Sequence, residues 1–234
     1  SKGLTLSHGE KVKNFVLMGI APEQAQESYA TQWYPMELNC KQAQGDWGLD
    51  NFIYYFLAIE RNELPEFGNL YAEFKSFHHA SDKVALMETM NKYSELFRRI
   101  KTCSYELYPT WDTNLSEAER QSMQAAIVLQ LKRLSYFPYE RHIPFVMQTM
   151  WLHLQHKITA AELLETLKLI EIFYFRRWAC GVPTNTLSRF FATLHAEIGY
   201  VNDTDAGDFI SKLKFVLRTD RARLPSDTWF KQCI

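Results

Sequence analysis

Glycine and proline are scarce in this chain, 9 and 8 among 234 residues. That is too little turn punctuation for a fold of many short strands and tight hairpins. Cysteine is also rare. Cys40, Cys103, Cys180 and Cys233 stand far apart and form no C-x-x-C pair, so the spacing of a zinc ribbon is missing. Reduced thiols in a cytoplasmic protein are the simplest reading. No apolar run approaches the roughly 18 residues that suggest a membrane span, and no basic-then-apolar leader opens the chain. Charge of one sign is lacking too. A net charge of −1 provides no global attraction to nucleic acid or to an acidic membrane surface. Binding to either would need a local patch, and the only hint is that residues 168–234 carry 10 Lys and Arg against 7 Asp and Glu.

What is present is aromatic and aliphatic mass. The chain is 47% hydrophobic and 23% charged, within the ordinary globular range. Its 16 Phe, 12 Tyr and 6 Trp point to helices packed through large side chains. Apolar residues recur at threes and fours, and no segment sustains the period-two alternation of a half-buried strand. The fold class expected is all-α, an irregular bundle of about ten helices with little or no sheet.

Local signals place these helices. Ser7…Glu10, Ser116…Glu119 and Thr159…Glu162 fit capping boxes. Pro22 and Pro144 suit first turns, and Asp50, Ser81, Asp203 or Thr204, and Ser226 are candidate starts. The helix begun at Pro22 is expected to run towards Pro35, with a loop at 42–48. Residues 108–115 read as a linker between an N-terminal helical subdomain, 1–107, and a C-terminal one, 116–234. The ends, Ser1-Lys2-Gly3 and Thr228 to Ile234, suggest a segment of a longer protein.

Few constellations carry chemistry. His153 and His156 stand three apart but lack a third acidic ligand nearby, and the adjacent His78 and His79 point different ways on a helix. Glu66, Glu73 and Lys75 mimic the acidic-and-lysine set of a metal-dependent nuclease. That set usually sits on strands, whereas Leu70, Tyr71 and Phe74 suit a helical core face. No phosphate loop or nucleophile elbow occurs, so neither a catalytic residue nor a metal ligand is assigned. The arginine pair Arg176-Arg177 can complement a helix C-terminus. Alternatively it can hold a phosphate or a carboxylate such as Glu171. Arg98-Arg99-Lys101 and Lys132-Arg133 are similar clusters at helix ends.

The stretch Glu171-Ile-Phe-Tyr-Phe-Arg176-Arg177-Trp-Ala-Cys180-Gly181-Val-Pro183-Thr184-Asn185-Thr-Leu187 resembles the helical region of the GmrSD-type modification-dependent type IV restriction endonucleases. In that family an aromatic run and two arginines precede C-G-(apolar)-P-T. Lys11 to Met18, Tyr29 to Glu37, Tyr71 to Lys75 and Leu224 to Phe230 are similar to further pieces of the family in the same order. Full-length members, as the resemblance implies, carry an N-terminal NTP-binding domain with a D-G-Q-Q-R motif and a C-terminal HNH-like nuclease domain that uses a divalent metal. Neither motif occurs here, so the resemblance implies a non-catalytic central helical segment with no cofactor of its own. Its partners would be the flanking domains of the parent protein, with contact to double-stranded DNA open through Arg176, Arg177, Asn185 and Arg189. The alternative is a protein-interaction scaffold that never touches nucleic acid. Gly181, Pro183 and Thr184 are expected to form a rigid elbow, with glycine at positive φ ending one helix and the next starting at Thr184.

Overall fold

The computed structural model describes residues 6–108, 115–200 and 208–234, with Tyr200 described by its backbone alone. Among them are twelve α-helices and no strand. The chain divides into two compact units, Ser1–Thr102 and Cys103–Ile234. Most of the expected linker, 109–114, lies outside the described residues, as do the candidate caps Asp203 and Thr204. Tyr105 and Leu107, expected to precede the linker, are buried in the second unit. The Tyr105 hydroxyl bonds His153 Nδ1 at 2.6 Å, and the Leu107 N–H donates to Gln124 at 2.9 Å.

The first unit contains α1 (His8–Leu17), α2 (Pro22–Ser28), α3 (Tyr34–Gln44), α4 (Gly48–Arg61), α5 (Leu70–Phe77) and α6 (Lys83–Lys101). Phe52, Phe56, Phe74, Phe97, Trp33 and Met36 fill its core. Each such burial contributes about 2–3 kcal/mol before the entropy of ordering is subtracted.

Pro35 does not end a helix. A π-turn over Tyr29–Trp33 feeds directly into α3, with the Tyr34 N–H bonded to the Tyr29 carbonyl. Pro35 then falls in the first turn of α3, where its missing N–H costs nothing. The expected loop at 42–48 is correspondingly short. It reduces to Gly45 at φ 61° and a single 3-10 turn over Gly45–Trp47.

Asp50 does not cap its own helix, which starts two residues earlier. Its buried carboxylate accepts the Gly9 N–H at 2.7 Å, in the first turn of α1. A helix N-terminus is thus satisfied by a side chain 41 residues away. At the other end of α4, Asn62 adopts φ 51°, a left-handed cap that asparagine tolerates.

The second unit contains α7 (Glu117–Ser135), α8 (Ile143–Leu154), α9 (Ala160–Ala179), α10 (Leu187–Tyr200), α11 (Phe209–Leu217) and α12 (Asp227–Cys233). Helix α9 is its hub, packing against α7, α8, α11 and α12. All three expected capping boxes form, at Ser7, Ser116 and Thr159. The serine at 226 also caps as expected, accepting the Trp229 N–H, while Asp208 caps α11.

A Cβ at Gly48 would overlap the Cys40 carbonyl oxygen, a backbone atom that cannot swing away. Gly48→Ala should therefore cost about 2–3 kcal/mol in urea unfolding, the scale of overpacking against a rigid neighbour. A loss below about 0.5 kcal/mol, the ordinary range of a surface change, would show that α3 and α4 do not approach this closely.

Candidate functional site

The α9–α10 elbow is built by the last turn of α9. The Gly181 N–H bonds the Trp178 carbonyl at 3.1 Å and the Val182 N–H bonds the Arg177 carbonyl at 2.8 Å. These are the two bonds of a Schellman motif, and Gly181 takes φ 62° as the motif requires. Buried Val182 anchors the corner from beneath. The next helix starts at Leu187 rather than Thr184. The Thr184 carbonyl accepts the Leu187 N–H at 3.1 Å, so Thr184 and Asn185 form an exposed turn before α10.

Arg177 is 2% exposed and lies inside the unit. Its Nη1 donates to the Ala222 carbonyl at 2.6 Å and to the Arg223 carbonyl at 3.3 Å, and its Nη2 donates to the Pro183 carbonyl at 2.5 Å. The guanidinium carbon sits 5.2 Å from the Phe173 ring centroid. Burial, with Arg223 nearby, pulls its pKa below the usual arginine value, yet a guanidinium stays charged at any physiological pH. One cation thus ties the elbow to the turn that follows α11. The carboxylate partner suggested by the sequence is absent from this set, and Glu171 instead pairs with Gln130 and Arg133.

Arg176 faces the same segment from the other side. It donates to the Pro225 carbonyl at 3.2 Å, pairs with Asp227 at 2.6 Å and lies 5.0 Å from the Phe230 ring centroid. Its hydrogen bond and charge hold the Asp227 carboxyl below the usual carboxylate range. Two of the four candidate binding residues therefore converge on residues 222–230. Both are committed to acceptors within the chain, which leaves Arg177 no surface to offer a phosphate. Asn185 and Arg189 are exposed.

Sequence reasoning missed what α9 shows to solvent. Ile172, Phe175 and Trp178 are 49%, 48% and 66% exposed, at spacings of three along one side of the helix. The Phe175 ring contacts Trp178 and Phe230, each with centroids 6.0 Å apart. Trp229 on α12 is also exposed. The missed signal was that the side of α9 carrying Glu165, Lys168 and Glu171 turns apolar at Ile172, Phe175 and Trp178, more apolar surface than one core face absorbs.

Other sequence candidates are engaged locally. Glu73 pairs with Arg61 and accepts the Glu66 N–H at 3.0 Å, while Glu66 accepts from Asn69 at 2.7 Å. His153 is buried against Tyr105, and His156 takes φ 57° beyond the end of α8. Glu95 pairs with Arg98 and Arg99. Among the described residues no group of three or more His, Cys, Asp or Glu is gathered as a metal would need. No helix among them is long and apolar enough to cross a membrane.

The first unit has an open groove of about 1170 Å³ lined by Asn14, Phe15, Tyr71, Lys75, His79 and Lys83 among others. Lys83 there donates to the carbonyls of His78, His79 and Ser81 at 2.8, 3.1 and 2.7 Å. Beside it His78 is buried between Phe56 and Phe74. Burial and the Lys83 charge lower its pKa to about 4.

Comparison with family models, with curated proteins and with solved structures gave no match.

Two expectations follow. Arg177→Met leaves three carbonyls without their donor and should cost about 3 kcal/mol in urea unfolding. Arg176→Ala removes a solvent-screened pair and should cost less than about 1 kcal/mol. The reverse order would mean that the buried guanidinium is not the joint. His78 also makes stability pH-dependent. Its folded pKa lies below the unfolded value near 6.5, so its contribution is complete above pH 6.5. It should fall by about 3 kcal/mol as the pH drops towards 4, then level off. His78→Phe should flatten that slope in denaturant titrations across this window, and an unchanged slope would assign it to other groups.

Proposed function

We propose that this chain is a helical coupling module that works by docking protein partners through the outward face of α9. Helix α9 commits both arginines to acceptors within the chain and turns Ile172, Phe175 and Trp178 outward. That observation carries the reading, because contiguous exposed aromatics on an otherwise packed helix are the hallmark of a contact surface. Together with the resemblance of residues 171–187, it supports a non-catalytic central segment of a modification-dependent restriction protein. In that reading an NTP-binding domain and an HNH-like nuclease domain of the parent polypeptide are the partners. The NTP and divalent metal belong to those domains, and the setting is the cytoplasm.

Contact with double-stranded DNA is the second reading, favoured by the exposure of Asn185 and Arg189 in a mildly basic region. Arg177 is set aside from it by burial.

Calorimetric titration of the chain with the separately expressed neighbouring domains of its parent distinguishes the two. Trp178→Asp and Ile172→Asp should each weaken docking by about tenfold or more, while Arg189→Ala leaves it unchanged. Docking indifferent to both aspartates would overturn the protein-contact reading. Duplex binding that weakens steeply with salt and is lost with Asn185→Ala and Arg189→Ala would establish the DNA reading instead.

A further inference from the structure

A recess of about 540 Å³ in the second unit is lined by α9, α11 and the segment that leads into α12. That is within the range of small-ligand pockets, about 300–1,000 Å³. Its lining is of two kinds. Leu169, Leu217, Leu224 and Pro225 are apolar, with Leu217 and Pro225 buried and the other two half-buried. Arg176, Lys214, Arg218 and Asp227 are charged, with Arg218 and Asp227 exposed. The most withdrawn part of the lining is therefore apolar, and its charges reach water.

Those charges do not cancel. Arg176 pairs with Asp227 at 2.6 Å, and Lys214 pairs with Glu165 at 3.1 Å. Arg218 closes no ion pair among the described residues. Three cations thus meet two carboxylates, and one positive charge is in excess. Lys214 and Glu165 are each 41% exposed. A pair so open to solvent is weak, and its ammonium can turn to another carboxylate at little cost. Asp227 opposes any entering anion, but its charge is taken up by Arg176. Arg176 also donates to the Pro225 carbonyl at 3.2 Å, which ties the segment leading into α12 to α9. This wall of the recess is therefore in place before a ligand arrives.

We propose that the recess binds a small ligand carrying one carboxylate on an apolar body, of the kind represented by a medium-chain fatty acid. The apolar body lies against Leu169, Leu217 and Leu224. The carboxylate meets the Arg218 guanidinium, with the Lys214 ammonium as second donor. One negative charge matches the single positive excess. Free phosphate brings nearly two charges and no apolar surface to cover the leucines, and a neutral chain gains the apolar contact alone. On α9, Leu169, Ile172 and Arg176 follow at spacings of three and four, so the recess adjoins the exposed strip at Ile172. The site stands whether or not a protein docks on that strip.

The test titrates the whole chain, labelled at leucine methyl groups, with octanoate, octanol and inorganic phosphate, read by NMR. Octanoate should give saturable shifts at Leu169, Leu217 and Leu224. Octanol and phosphate should each bind about tenfold or more weakly, the scale of a lost charge-assisted hydrogen bond. Arg218→Glu, a change at an exposed position, should weaken octanoate by a similar factor, and Lys214→Ala should weaken it less. Lys132→Glu, an exposed cation on α7, should leave its affinity unchanged. Octanol or phosphate binding as tightly as octanoate, shifts confined to leucines outside the recess, or no saturable shift would overturn the proposal. So would an affinity that Arg218→Glu leaves intact or that Lys132→Glu lowers as much.

Discussion

A buried guanidinium whose acceptors are backbone carbonyls imposes the strictest constraint on the second unit. Taking Arg177 out of water costs several kcal/mol, and the cost is offset only if the fork of N–H groups meets acceptors in fixed positions. Pro183 in the elbow, and Ala222 and Arg223 in the turn after α11, provide them. The elbow after α9 and the turn after α11 must therefore both be in place before its two Nη groups are satisfied, while the buried Nε meets no acceptor. Arg223 itself adopts φ 51°, a conformation uncommon outside glycine and asparagine, and its carbonyl is one of the acceptors. Helix α9 thereby becomes a hub in polar as well as apolar terms. Phe173 and Tyr174 on its inner side pack against Phe190 and Phe191 of α10, with Phe173 and Phe190 stacked 5.5 Å apart. A strip of Ile172, Phe175 and Trp178 is left exposed.

The first unit solves the same problem in two other ways. Asp50 satisfies the start of α1, and Lys83 gathers three carbonyls beyond the end of α5. Both are charged groups largely withdrawn from water and matched to backbone groups that helices leave unpaired. Asp50 thereby joins α4 to the non-adjacent α1, while Lys83 closes the connection between α5 and α6. The Lys83 charge also bears on buried His78 and lowers its affinity for a proton, so a structural lysine creates an acid-sensitive position.

Much of the helical organisation was legible before any coordinates. The capping boxes at Ser7, Ser116 and Thr159 are complete within four residues, and Gly181 carries the positive φ of its motif. Errors arose where a local signal had a second solution. Pro35 reads as a stop, yet a widened π-turn makes it a start. Thr184 reads as a cap, yet the chain spends another turn before Leu187. Most of the linker expected at 108–115 lies outside the described residues, and the division between the units falls at Thr102–Cys103.

The sequence by itself determined the all-α class, most helix starts and the elbow, because these follow from side-chain periodicity and from bonds between residues within one turn. Tertiary structure alone decided the direction of the charges and the identity of the outer face. Arg176 and Arg177 are adjacent and chemically equal, and their neighbours in sequence do not say which one is buried. That outcome depends on carbonyls 45 or more residues away. The same holds for Ile172, Phe175 and Trp178, which look like core until the number of helices around α9 limits how much of its surface can be covered.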